Sequence, residues 1–253
     1  MPLPVLLYHH IGGPSAAPPS LSVSPEKFER QVRWLARKGY VGIRPSDWLN
    51  WLHTRRGLPT RPVLLTFDDA FTDLIESAFP VLEHHGFTAG VFVPTAFMGR
   101  TAAWDGVWSG VEVMTSGQIK EWTARGIEFG SHGRTHRSLI GLAPAELAEE
   151  VRRSADDLEG ATGSPVLSFA YPYGLYDARV VEEVQRRFDL GFTVVEGMND
   201  LRTSRSLLRR TMVQPSDSMI DVAARARLGW SPVSRMRTRL RRAYPFGERS
   251  TSS

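Results

Sequence analysis

The sequence contains no cysteine. Disulfides are therefore excluded, as are thiolate metal ligands and iron–sulfur centres. Any bound metal has to be held by histidine, aspartate or glutamate, which points to zinc, cobalt, nickel or manganese. No apolar run approaches the ~18 residues that a membrane span needs. Met1-Pro2-Leu3-Pro4-Val5-Leu6-Leu7-Tyr8 has neither a basic lead nor a long apolar core. It reads as a first strand rather than a signal peptide, and a cytoplasmic location is expected. Repeats, linkers and low-complexity blocks are also missing, and no histidine follows His136.

What is present is enough for a full core. The chain has 253 residues, of which 42% are hydrophobic. That suits one α/β barrel-sized domain over 1–230. The formal charge is +4, and Arg235, Arg237, Arg239, Arg241 and Arg242 supply much of the excess. The segment 231–253 is expected to be a basic helix and tail. Its arginines either lie solvated with their stems on the domain or make weak contact with an anionic surface. No nucleic-acid-binding motif accompanies them.

Strand and helix signals alternate. Val5–Tyr8, Val63–Phe67, Ala89–Val93, Ile127–Ser131, Val166–Tyr171, Phe192–Val195 and Leu208–Val213 read as strands. Ser24-Pro25 opens a helix that Gly39 closes, with an N-cap serine and a proline at the first helical position. Further helices are expected over Asp47–His53, over Asp73–His85 with a kink at Pro80, from a Ser116 cap to Gly126, over Pro144–Gly160, after Asp177, and over Ser218–Leu228. Thr95 to Gly110 reads as a loop carrying Trp104 and Trp108. This alternation argues for a parallel sheet and leaves an open sheet and a barrel unresolved.

The informative positions lie at two strand ends. Val63-Leu64-Leu65-Thr66-Phe67 runs into Asp68-Asp69, and Ile127-Glu128-Phe129-Gly130-Ser131 runs into His132-Gly133-Arg134-Thr135-His136. α/β folds keep their active sites at such ends. Alone, Asp68-Asp69 could be a turn in which Asp69 caps the next helix, and the histidines could be caps and surface groups. Together, they outline a hydrolytic metal site of carboxylates and imidazoles, the two histidines sharing one face of a helical turn.

Thr66-Phe67-Asp68-Asp69, His132-x-x-x-His136 and Phe169-Ala170-Tyr171-Pro172-Tyr173-Gly174 resemble the successive motifs of the polysaccharide deacetylases, also called the NodB-homology or carbohydrate esterase 4 family. Tyr8-His9-His10 and Gly126–Ser131 resemble it too. The resemblance runs from about residue 4 to about residue 215. It implies a distorted (β/α)7 TIM-like barrel and a metal-dependent hydrolase that removes acetyl groups from an N-acetylated sugar or glycoconjugate. It also implies Asp69, His132 and His136 as ligands of one divalent metal, zinc first. Asp68 becomes the base that takes a proton from the attacking water, and the Tyr173 backbone N–H becomes an oxyanion donor.

Three departures matter. Ala70 stands where the family often has glycine, which asks for a turn without a positive φ. Ala170 stands where many members place an arginine that orients the base. A late histidine acid is missing. Arg210, beside Arg209, is the candidate tether for Asp68, and His9 is the candidate acid. Hydrolysis of another amide, as in allantoinase-like relatives, and a silent sugar-binding module are the alternative functions. His84 and His85, at a helix C-terminus, suit the dipole there rather than catalysis.

Overall fold

Among the described residues, ten short strands build the sheet framework: β1 (Val5–Tyr8), β2 (His10–Ile11), β3 (Ser22–Val23), β4 (Val41–Gly42), β5 (Pro62–Phe67), β6 (Gly90–Val93), β7 (Glu128–Ser131), β8 (Ser168–Ala170), β9 (Leu190–Phe192) and β10 (Thr211–Met212). The structure is a computed structural model that describes residues 1–13, 18, 20–104, 106, 108 and 110–233. The basic helix and tail expected over 231–253 therefore lie, from residue 234 on, outside the described residues.

Seven of the strands form one parallel path, β10-β1-β5-β6-β7-β8-β9, with β4 joined to the start of β5. The path curls. Leu208 bridges Phe192 beyond one end of it, and three residues later Thr211 pairs with Leu6 at the other. One short segment thus closes the ring irregularly, as expected of a distorted α/β barrel.

Helices α1 (Pro25–Arg37), α2 (Pro45–Thr54), α3 (Asp73–Ser77), α4 (Phe79–His84), α5 (Ser116–Ala124), α6 (Pro144–Ala148), α7 (Ser154–Thr162), α8 (Ala178–Gln185) and α9 (Met219–Leu228) surround the sheet, and a π-helical segment, Glu149–Arg153, joins α6 to α7. Ser24 caps α1 by accepting from Lys27 N, and Pro25 takes the first turn, where its missing N–H costs nothing. Several expected boundaries move, among them that of the strand expected over Phe192–Val195, which runs Leu190–Phe192. Thr115, not Ser116, caps α5, because its side chain accepts from Gln118 N. The helix before β8 passes Gly160 and stops at Gly163, whose left-handed conformation a glycine takes without cost. The helix expected from Asp73 to His85 breaks at Ala78, just ahead of Pro80, because proline cannot continue the hydrogen-bond ladder.

Alternation along the strands sorts side chains into two cores. Leu6, Tyr8, Leu65, Phe67, Phe129 and Phe169 face the helices. Val5, Leu64, Phe92, Ala170, Phe192 and Leu208 fill the barrel interior, where Trp48 of α2 joins them. Each large buried side chain contributes about 1.5–3 kcal/mol. Gly130 of β7 has to be glycine, because a Cβ there would lie 2.7 Å from the Phe92 ring. No helix of the described residues is long and apolar enough to cross a membrane.

Candidate active site

The same alternation aims the chemistry inward. Asp68 lies four residues beyond interior Leu64, and His9 four beyond Val5. His132, Val194 and Met212 follow the same parity. Ladder bonds continue past the strand ends, with Asp68 N donating to Tyr8 O at 3.0 Å and His132 N to Val93 O at 2.9 Å. These side chains are therefore carried on rigid sheet backbone. They line a cavity of about 230 Å³ together with Asp69, His136, Tyr173, Gly174, Leu21 and Trp108.

Asp69, His132 and His136 offer one ligand atom each, and the three atoms lie within 4.8 Å of one another. All three residues are buried. His136 Nε2 is 3.2 Å from Asp69 Oδ1, and His132 Nε2 is 3.8 Å from it. His132 Nδ1 donates to Ala170 O at 2.8 Å, which fixes the tautomer and turns Nε2 to the site. Asp69 Oδ1 and His136 Nδ1 are buried with no hydrogen-bond partner. Burial pushes the His132 imidazolium down to about 4, and the carboxylates of Asp68 and Asp69 only partly offset it. A neutral imidazole is the form that binds a cation. One carboxylate and two imidazoles, with an orphaned carboxylate oxygen, fit a divalent metal and leave a coordination position open.

Arg210 meets Asp68 directly. Nη1 donates to Oδ1 at 2.6 Å and Nη2 to Oδ2 at 2.8 Å, while Nε donates to Thr193 O at 2.8 Å. The guanidinium carbon also lies 5.4 Å from the centre of the Phe92 ring, over its face. Burial raises the Asp68 carboxyl, but Arg210, and after it His132, outweigh burial and bring it down to about 2. Asp69 is likewise raised by burial and lowered overall by His136, His9 and His132.

Two expectations about the backbone are overturned. The loop from His132 to His136 is not a helical turn; His136 itself has φ 57°. The imidazoles nonetheless converge, their ring centres 4.7 Å apart. Ala70 does adopt a positive φ, 52°, right after Asp69 at 73°. The turn is over-determined by its neighbours, since Met114 N donates to Ala70 O and Thr72 N to Glu112 O. Four of the five non-glycine residues with positive φ among the described residues, Asp69, Ala70, His136 and Tyr173, lie in or beside this site.

Trp104 and Trp108 pack on Phe71, at 6.1 and 4.4 Å between ring centres, and Trp104 also covers His136 at 4.7 Å. Sequence reasoning missed Val194 and Met212, although inward parity at strand ends marks both positions. Nothing in the sequence marks Leu21. Arg209 leaves the site, its backbone tied to Asn199.

The chain is similar in sequence and fold to known proteins. YxkH of Bacillus subtilis (strain 168), a polysaccharide deacetylase by name, is 28% identical over 217 residues, 85% of this chain and 73% of that one. The poly-beta-1,6-N-acetyl-D-glucosamine N-deacetylase of Staphylococcus aureus (strain MSSA476) is 25% identical over 164 residues, 61% of this chain. The match spans about half of that relative, 54% of its length. Among solved structures, the Streptococcus pyogenes deacetylase PplD in complex with acetate superposes with a TM-score of 0.76 at 26% identity, over 87% of this chain and 95% of that one. The polysaccharide deacetylase family model matches residues 55–195, a stretch that holds the Asp68-Asp69 turn and both site histidines. By sequence and by fold, the chain belongs to the polysaccharide deacetylase family.

Proposed function

We propose that this chain is a divalent-metal-dependent hydrolase that removes the acetyl group from an N-acetylated sugar or glycoconjugate. The observation that carries the reading is the buried Asp68 carboxylate, gripped through both oxygens by Arg210, with Oδ2 3.8 Å from Nε2 of His132 in the three-donor set. Asp69, His132 and His136 would hold the metal. A cation bound there supplies Lewis acidity toward the acetyl carbonyl and lowers the pKa of water.

The remaining roles belong to the protein. Arg210 holds the Asp68 carboxyl well below its usual range, so Asp68 is ionised near neutral pH. Each of its oxygens keeps a second lone pair after Arg210 has taken one, so it can hold the proton released by water. The Tyr173 backbone N–H, on a left-handed residue at the cavity wall, is the proposed donor to the developing oxyanion. His9 is the one imidazole lining this cavity, among the described residues, that is not a candidate ligand. It is the proposed donor of a proton to the departing amine. Leu21, Val194 and Met212 give the cavity an apolar side suited to an acetyl methyl.

The S. aureus relative is named for a poly-N-acetylglucosamine substrate, and the S. pyogenes structure holds acetate. Both support this substrate class. The test is acetate release from N-acetylglucosamine oligomers and glycosides, with the purified protein loaded with zinc or cobalt. The expected result is stoichiometric acetate and free amine, lost on chelation. Opening of a cyclic amide with no acetate from any N-acetylated sugar would overturn the reading in favour of the allantoinase-like alternative.

A further inference from the structure

The loop His132-Gly133-Arg134-Thr135-His136 has no helical ladder to hold its two imidazoles together. Its fixings come from outside, and Glu150 supplies more of them than any other residue. Arg134 N and Thr135 N both donate to Glu150 Oε2, at 3.0 and 2.9 Å. Thr135 Oγ1 donates to Oε1 at 2.6 Å, and Arg137 Nε lies 3.2 Å from the same oxygen. Glu150 is only 3% exposed. A carboxylate so buried is retained at a desolvation cost, which four donors converging from one loop offset.

Glu150 reaches the loop from an unusual backbone. It lies in the π-helical segment Glu149–Arg153, and such insertions are rare and concentrate at functional sites. Ser154, at the end of this segment, meets Ser131 Oγ at 2.6 Å, and Ser131 Oγ in turn accepts from Gly133 N at 3.1 Å. The loop carbonyls are held from the other side, Gly133 O by Thr95 N and Arg134 O by Ala96 N. His136 follows these fixed residues directly and has φ 57°, a left-handed conformation that costs a non-glycine residue free energy. The clamp offsets that cost.

We propose that Glu150 is a positioning residue of the metal centre: its carboxylate preforms the His132–His136 loop, so that both imidazoles converge on Asp69 before an ion binds. The inference rests on the metal reading above. It assigns to a side chain that touches neither metal nor substrate the task of setting metal affinity.

Zinc affinity of the full chain, measured by competition with a chromogenic chelator, tests it. Glu150→Gln keeps the size and one carbonyl oxygen but cannot accept from all four donors. The expected result is zinc binding about 10- to 100-fold weaker, as for other residues that orient ligands. In the metal-free protein, hydrogen exchange at the Arg134 and Thr135 amides should quicken while exchange in β5 and β6 stays unchanged. If Glu150→Gln does not fold, Thr135→Val, which removes one donor and keeps the branched shape, should show a smaller weakening in the same titration. Zinc affinity within twofold of wild type in the folded variant overturns the proposal, even if the melting temperature falls. If the wild-type chain binds no zinc, the metal reading fails and this inference with it. If the wild type binds and Glu150→Gln binds equally well, only this inference fails.

Discussion

Arg210 and Asp68 are 142 residues apart in sequence and meet at 2.6 and 2.8 Å through both nitrogens and both oxygens of a buried pair. The guanidinium is 0% exposed, and Thr193 O holds its third donor edge. Arg210 thus fixes both the orientation and the charge of the carboxylate proposed as the base.

Asp68→Asn keeps the shape and removes the basicity. The expected outcome is a fall in kcat of about 10²–10⁴-fold with metal content nearly intact. Arg210→Lys keeps the charge but gives up the fork, and kcat should fall roughly tenfold or more because one ammonium cannot orient both oxygens. Arg210→Ala strands a buried carboxylate and should destabilise by about 3–5 kcal/mol. Steady-state kinetics with metal analysis and denaturant unfolding check these, and a near wild-type kcat for Asp68→Asn rules that residue out.

His132→Ala should abolish both bound metal and turnover, since two remaining ligands rarely retain a catalytic ion. Elemental analysis of the purified variant is the check. Stoichiometric metal in it would remove His132 from the ligand set.

For His9, the pH profile is the decisive measurement. His9→Gln should lower kcat and erase the basic limb of the pH–rate curve, which reports loss of the essential acid. An unchanged kcat and an unchanged basic limb would mean that the proton reaches the amine by another route.

Asp73 predicts a pH dependence of stability outside the proposed chemistry. Burial pushes its carboxyl up to about 7, although Ile11 N donates to Oδ2 at 2.5 Å. A folded-state value above the unfolded value of ~3.9 means that the protonated form is favoured by folding. The contribution is complete below about pH 4 and is lost as pH rises through about 7. Its upper bound is about 4 kcal/mol at ~1.4 kcal/mol per unit. His132, pushed down to about 4, works in the opposite direction, so the prediction concerns the Asp73-dependent part alone: Asp73→Asn, which keeps an acceptor for Ile11, should lose stability at pH 5 relative to pH 8 when compared with metal-free wild type. Equal slopes in urea unfolding of the two proteins would refute the assignment.

Ala70 tests the strained turn. Ala70→Gly removes a buried methyl worth about 0.8 kcal/mol and relieves a positive φ worth roughly 1–2 kcal/mol, so stability should change by less than about 1 kcal/mol. Ala70→Val should destabilise by more than about 2 kcal/mol, since a β-branched residue does not tolerate that φ. Comparable stabilities for the glycine and valine variants would show that the turn relaxes.

Strand alternation and capping made much of this molecule legible before any coordinates. Asp68, His132 and His9 stand at the ends of strands that the sequence announces, and Ser24, Asp177 and Ser218 cap the helices that follow them. Backbone strain was less legible. A motif spacing of four suggested a helical turn at His132–His136, because nothing local reveals that Glu150 and Thr95 bend the loop from two sides. Ala70 misled for the same reason, as the contacts that force its φ come from residues 112–114. Ring closure was hidden too, since it depends on isolated bridges such as Phe192 to Leu208 rather than on a full strand signal.

The irregular closure has a practical consequence for how the protein can be divided. The stretch matched by the family, 55–195, ends before Arg210 and begins after His9. An excised segment with those limits would carry all three candidate ligands and the Asp68 side chain. It would lack β1, which pairs along one edge of β5, and the cation that keeps Asp68 in one rotamer. The candidate donors and the groups that fix Asp68 thus lie on different parts of the chain: the middle carries Asp69, His132 and His136, while the two flanks that meet at the β1–β10 seam bring His9 and Arg210 to them.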